Sequence, residues 1–108
     1  MISEIEASRD RIVELCRQYA VRRLEVFGSA ATGAFDPERS DVDFLLEFDP
    51  SGDPDLFRRY FALKRALEDL LARSVDLVMS GALKNPQLIA SVNASRQLVY
   101  AAPVREAA

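Results

Sequence analysis

Two aspartates separated by one residue are the first side chains here that could perform chemistry. Asp41 and Asp43 belong to the run Ser40-Asp41-Val42-Asp43, which continues into apolar residues typical of a strand. Residues two apart on a strand project from the same face, so both carboxylates would lie side by side while Val42 points into the core. Adjacent negative charges repel, which raises one pKa unless a cation lies between them. The pattern therefore predicts a cation site.

A third carboxylate, Asp76, lies alone among the apolar residues of a second predicted strand, Val75-Asp76-Leu77-Val78. If the two strands are neighbours, three carboxylates converge on one site. The chain has no His and a single Cys, which excludes a Ser-His-Asp triad and a His-ligated zinc site. Hard oxygen ligands favour Mg²⁺, or Mn²⁺ in its place. Two such ions, roughly 3.5–4 Å apart, could activate a hydroxyl and stabilise a leaving pyrophosphate.

The segment Gly28-Ser29-Ala30-Ala31-Thr32-Gly33 follows a third strand and could contact phosphate. Gly28 lets the backbone approach a ligand closely, the Ser29 hydroxyl can bind a phosphate oxygen, and Gly33 lets the chain leave the turn. Taken alone, a Gly-Ser turn is commonly structural, and an Asp-x-Asp pair is often a solvated strand edge. Because all three motifs lie at strand ends, together they favour a functional site.

These motifs need a mixed sheet of three to five strands flanked by helices, in one α/β (α+β) domain over residues 1–108. The short 28–40 connection fits antiparallel strands, and the 54–71 helix is long enough for a parallel crossover. We expect a core at about 20–100 and a tail at 103–108. Helices are predicted over 3–19, 54–71 and 85–93, and strands over 24–27, 41–48, 75–79 and 97–101. The first helix would begin with a Ser3–Glu6 capping box. Asp53 would cap the second helix, with Pro54 at its first position.

The predicted 54–71 helix carries a broad apolar stripe that has two interpretations. Leu56, Tyr60, Leu63, Leu67 and Leu70 share one face, and Phe57, Phe61 and Leu71 widen it. The wide stripe could be buried against the sheet, as most such stripes are. It could instead bind a partner protein, with Arg58 and Arg59 beside it, because aromatic and Arg residues anchor many interfaces.

The amino-acid composition limits the classes of partner that this chain could bind. Fourteen Lys and Arg against 17 Asp and Glu give a net charge of −3, which argues against a dedicated nucleic-acid binder. No apolar run approaches the ~20 residues that span a bilayer, and the acidic start of the chain is unlike a signal peptide. We therefore expect a cytoplasmic protein without a membrane partner.

The order G-S-x-x-x-G, S-D-x-D and V-D-L-V resembles a minimal nucleotidyltransferase domain of the DNA polymerase β-like superfamily, over residues 20–100. The resemblance implies ATP as substrate, with Gly28, Ser29, Gly33 and Ser40 around the nucleotide. It also implies two Mg²⁺ ions held by Asp41, Asp43 and Asp76. As a stand-alone domain of this size, the chain resembles the antitoxins that pair with HEPN-type ribonuclease toxins. Some of those antitoxins transfer AMP to a tyrosine of the toxin.

One departure from that family keeps alternatives open. Many relatives carry Arg within the Gly-Ser loop, where this chain has Ala30, Ala31 and Thr32; Arg39 or Lys64 could substitute. A degenerate antitoxin that neutralises its toxin by binding alone is the first alternative. The second is a small-molecule nucleotidyltransferase, which at this length would need a homodimer or another partner to complete its acceptor site.

Overall fold

Four strands form one mixed sheet in the computed structural model, which describes residues 1–33, 36 and 41–103. The order across the sheet is β3-β2-β1-β4, where β1 is Val21–Phe27, β2 is Val42–Phe48, β3 is Val75–Met79 and β4 is Gln97–Ala101. Strand β1 is antiparallel to both β2 and β4, whereas β2 and β3 are parallel. The predicted mixed sheet, its antiparallel turn and its parallel crossover are thus confirmed.

The helices cover mainly one face of this sheet. They are α1 (Ser3–Ala7), α2 (Arg9–Gln18), α3 (Ser29–Thr32), α4 (Leu56–Leu71) and α5 (Pro86–Ser95), with a short 3-10 helix at Ser80–Ala82. The main core lies between the sheet and α1, α2 and α4, and includes Ile5, Ile12, Leu24, Phe44 and Leu63. On the opposite face a small cluster joins Phe27, Leu45 and Val92 of α5, so most of that face is left for polar side chains.

The N-terminal helix predicted over 3–19 is interrupted, and the capping box is wrong. Ser8 takes φ −100° and ψ 6°, which separates α1 from α2, and the N-cap of α1 is Ile2, without a side-chain cap. A tertiary contact explains the different start of this helix, because the Ile2 amide donates to the Ala30 carbonyl at 2.9 Å. This bond to α3 directs the start of the first helix.

Helix α4 also begins later than predicted. Its cap is Asp55, whose side chain accepts from the Arg58 amide, and not Asp53. The Asp53 carboxylate instead accepts from the Asp55 amide at 2.9 Å, so it forms a turn ahead of the helix.

The buried side of α4 differs from the predicted stripe in its first two turns. Its buried positions are Arg59, Leu63, Leu67 and Leu71, whereas Leu56, Phe57 and Phe61 are exposed. The cause is Arg59, whose guanidinium donates to the carbonyls of Tyr19, Ala20, Asp49 and Asp53. Burial of position 59 turns positions 57 and 61 outward, so for these two the core interpretation is wrong.

Helices of membrane-spanning length and hydropathy are not found in the described parts of the chain. Residues 104–108 of the predicted tail lie outside the described residues. The assignment of residues 1–108 to a single domain stays a prediction.

Candidate active site

Asp43 and Asp76 lie directly opposite each other on the parallel strands β2 and β3. Their neighbours Val42, Phe44, Val75 and Leu77 are all buried in the main core. Because side chains alternate along a strand, both carboxylates project from the other, open face of the sheet. Asp43 is half-buried and Asp76 is exposed. The structure therefore brings together two aspartates that are 33 positions apart in the sequence.

Asp41 lies just before β2, two residues from Asp43, and is exposed. The pKa of Asp43 is raised to about 6, first by burial and then by the charges of the other two acids, Asp76 and Asp41. A divalent cation among these oxygens would relieve that repulsion, so the donor set fits a hard metal ion. Within the described ranges, no three His, Cys, Asp or Glu side chains are already gathered as a metal cluster.

The Gly28-Ser29 turn begins where β1 ends, beside Asp43. Phe27 pairs with Asp43 across the strands, and Gly28 follows with φ +71°, in the left-handed region. A Cβ on Gly28 would lie 2.8 Å from Oδ2 of Asp43. Only glycine allows both this backbone conformation and this close approach. The turn and the acidic site are thus adjacent, and Ser29 opens α3 at that point.

The Ala residues of the Gly-Ser loop have a structural reason. Ala30 and Ala31 are buried in the main core, and only Thr32 of the three is exposed. A long Arg side chain at position 30 or 31 would therefore need that core to rearrange. Gly33 ends α3 in the left-handed conformation, with open space where a Cβ would be.

The structure does not place either predicted substitute for the loop Arg, Lys64 or Arg39, at the site. Nζ of Lys64 lies 3.4 Å from Oε2 of Glu68, in an ion pair on α4. Arg39 lies outside the described residues, as does Ser40 of the predicted nucleotide-binding set.

Tyr60 borders the site, although the sequence placed it only in the apolar stripe. Its hydroxyl donates to the Leu77 carbonyl on the outer edge of β3. The pKa of Tyr60 is raised, first by burial and then by the charge of Asp76, while Lys64 opposes the shift. A buried Tyr hydroxyl usually finds a partner, and that was the only signal in the sequence for this contact.

A second residue that the sequence did not indicate is Ser95, at the end of α5. Its hydroxyl oxygen accepts from the Gly28 amide at 2.9 Å. The two residues are 67 positions apart, and no local pattern joins them.

A mixed sheet with acidic residues at one end of adjacent strands and a Gly-Ser turn beside them defines the nucleotidyltransferase class. The chain belongs to the nucleotidyltransferase domain family, whose model matches residues 9–99. It is 38% identical over 86 residues to a candidate protein adenylyltransferase of Methanocaldococcus jannaschii, covering 80% of this chain and 82% of that protein.

Two solved structures show the same fold. A candidate minimal nucleotidyltransferase aligns with a TM-score of 0.70 and 33% identity, covering 86% of this chain and 90% of the other. The second comes from a complex of the AMPylated Shewanella oneidensis HEPN toxin with its MNT antitoxin. It aligns with a TM-score of 0.61 and 18% identity, over 90% of this chain and 72% of the other. At that identity the second match shows the fold alone.

Proposed function

We propose that this nucleotidyltransferase transfers AMP from ATP to a tyrosine hydroxyl of a HEPN-type toxin and so acts as its antitoxin. The observation that carries the proposal is the adjacency of three elements: Asp43, Asp76 on the paired strand, and the Gly28 turn against the Asp43 carboxylate. An acidic pair beside a turn that can hold phosphate is the arrangement that a metal-dependent phosphoryl transfer requires.

Each residue has a role in this proposal. Asp41 and Asp43 would hold both divalent ions, most simply Mg²⁺, and Asp76 would hold the catalytic one. The bound ions supply charge neutralisation and a lowered pKa for the acceptor hydroxyl. Gly28 and Ser29 would bind the triphosphate, while Gly33 shapes the turn and Ser40 completes the nucleotide site.

The reaction breaks the acceptor O–H bond and one P–O bond, and it forms a new P–O bond and a protonated base. The acceptor oxygen bonds to the α-phosphorus of ATP, and the bond from that phosphorus to the bridging oxygen of the β-phosphate breaks. Pyrophosphate leaves with the bonding electrons, and the acceptor hydroxyl gives its proton to the Asp76 carboxylate, which releases it to solvent. Asp76 suits this role because it is the more exposed member of the paired acids, where a large acceptor can approach.

The partner and acceptor in this proposal draw on the relatives. Candidate protein adenylyltransferases share 38% and 33% identity with this chain, and the fold is shared with a chain from a complex that contains an AMPylated HEPN toxin. The open face of the sheet also leaves the acids accessible to a protein acceptor. We expect the adjacent gene to encode the toxin.

The decisive experiment incubates the protein with labelled ATP, Mg²⁺ and the product of the adjacent gene. We expect label on a toxin tyrosine, located by mass spectrometry, and loss of transfer with Asp43→Asn or with a chelator. Asp69→Asn is the matched control, because Asp69 is an exposed carboxylate on α4 and not one of the three acids of the site; it should transfer as the unmodified chain does.

Two other outcomes separate the alternatives. Toxin neutralisation without any label would favour an antitoxin that acts by binding alone, a hypothesis that draws on the Arg-free loop with its buried Ala30 and Ala31. Label on a small hydroxylated molecule, and none on the toxin, would favour a small-molecule nucleotidyltransferase.

A further inference from the structure

The Gly28 turn is held from behind by the end of α5. The Gly28 amide donates to Oγ of Ser95 at 2.9 Å, and this hydroxyl in turn donates to the Ser91 carbonyl at 3.0 Å. Since the hydroxyl proton is directed to Ser91, the oxygen lone pairs remain for the Gly28 amide. The direction of the Gly28 N–H is therefore set by a helix outside the motif.

The next two residues bond to the same stretch of chain. Arg96 forms a bidentate ion pair with the buried Glu25 of β1, at 2.7 and 2.6 Å. Gln97 donates to the Ala31 carbonyl of α3 at 3.2 Å. Contacts from three consecutive residues thus reach the strand before the turn, the turn itself and the helix after it. We call this segment, Ser95–Gln97, the clamp; it joins the end of α5 to the start of β4.

A clamp is needed because a glycine does not hold its own conformation. Gly28 has access to a wide range of φ and ψ, yet it must keep φ +71° to lie against the Asp43 carboxylate. The loop also lacks an Arg, so it has no long cationic side chain to reach a phosphate from a displaced position. The placement of the backbone and of Ser29 then determines how well a triphosphate is bound.

We infer that Ser95 is a positioning residue for the nucleotide, acting through the Gly28 amide, an inference that rests on the proposed function. Ser95 does not touch the nucleotide. It keeps the turn at the distance from Asp43 at which the phosphates and the acidic residues act together.

The test compares Ser95→Ala with Ser95→Thr, which keeps a hydroxyl able to bond to both groups. The matched control is Ser91→Ala, one turn earlier on α5, where the exposed residue contributes only its backbone carbonyl. The readouts are the Kd and KM for ATP with Mg²⁺, kcat, the melting temperature, and hydrogen exchange of the Gly28 amide without nucleotide.

For Ser95→Ala we expect faster exchange at Gly28 and a Kd and KM about five- to tenfold higher, the effect of one hydrogen bond. The value of kcat should stay within about twofold, because ground state and transition state lose the same phosphate contacts. Ser95→Thr should restore the KM, and Ser91→Ala should leave every value unchanged. Gln97→Ala, a milder release of the same turn, should raise KM about two- to threefold even if Ser95→Ala does not fold.

Two results would overturn the inference. If Ser95→Ala lowers only the melting temperature and binds ATP as tightly as the unmodified chain, Ser95 has a structural role alone. If the unmodified chain does not bind ATP with Mg²⁺, the proposed function fails and the inference fails with it. The unmodified chain thus distinguishes the two failures.

Discussion

At the scale of single residues, Asp43 is the acid of the site whose pKa responds to the charges of the other two. Its pKa is raised from 3.8 to about 6, with burial as the largest cause and the charges of Asp76 and Asp41 next. The folded protein therefore keeps this proton at pH values where the unfolded chain has lost it. The contribution of Asp43 to stability is fully present below about pH 4 and is lost as the pH rises through about 6.

We expect the metal-free protein to lose about 2 kcal/mol of unfolding free energy through this residue between pH 4 and 7. Asp43→Asn should remove that part of the pH dependence, so in a chelator at pH 7 the variant should be the more stable protein. Denaturant unfolding at several pH values measures this difference. Addition of Mg²⁺ at pH 7 should stabilise the unmodified chain and not the variant. Parallel stability curves for the two proteins would contradict the account of this site.

At the scale of elements, Arg59 attaches the first turn of α4 to the rest of the fold. The guanidinium is buried, it donates to four backbone carbonyls, and it lies 4.2 Å above the ring of Phe48. Gly52 makes room for it, since a Cβ there would lie 2.6 Å from an Arg59 nitrogen. One charged side chain thus ties together the end of α2, the turn after β2 and the start of α4.

Arg59→Met should lower the unfolding free energy by about 3 kcal/mol, because it removes a charged donor from four backbone carbonyls. Arg58→Met is the matched control: Arg58 is largely exposed and pairs only distantly with Asp53 and Asp55, so its loss should cost about 0.5 kcal/mol or less. Chemical denaturation of both variants measures the contrast. Equal losses would mean that the Arg59 bonds add little to stability.

A second task of α4 is to protect the edge of the sheet. Strand β3 is an outer strand, and its Val75 amide donates to Glu68 while its Leu77 carbonyl accepts from Tyr60. Polar groups that would otherwise be open to pairing with another chain are thereby satisfied. The same contacts hold the strand that carries Asp76.

At the scale of the whole molecule, the first two turns of α4 carry an exposed apolar surface. Phe57 is 74% exposed, Leu56 52% and Phe61 49%, and the rings of Phe57 and Phe61 lie 4.6 Å apart. Phe61 also contacts Tyr60, whose pKa responds to Asp76. The aromatic surface therefore extends to Tyr60, whose hydroxyl bonds to β3, the strand that carries Asp76.

If the toxin binds this surface, Phe57→Ser and Arg58→Glu should each weaken toxin binding about tenfold or more, with melting temperature and ATP binding unchanged. The matched control is Leu98→Ser, since Leu98 is a 45% exposed apolar residue on β4, outside this surface. Calorimetric titration of the toxin measures the affinities. Equal binding by all variants would assign the toxin to another face.

Local sequence predicted most of the strands and helices and the order of the candidate site residues along the chain. Alternating apolar residues defined β2 and β3, and with them which carboxylates share a face, because the period of a strand is fixed by its backbone geometry. Length decided that 54–71 could return the chain to a parallel strand. Each candidate motif spans only a few consecutive residues, so it can be recognised in the sequence without knowledge of the fold. These motifs contain Gly28, Asp41 with Asp43, and Asp76.

Only the tertiary structure decided which of these groups meet and what holds them. The register that sets Asp43 opposite Asp76 joins residues 33 positions apart. The hydrogen bond from the Gly28 amide to the Ser95 hydroxyl joins residues 67 positions apart. The burial of Arg59 in place of an apolar side chain depends on carbonyls from three separate segments, and it turned Phe57 and Phe61 to the surface. Helical periodicity reports that a face is apolar, but what that face meets is a property of packing between distant segments.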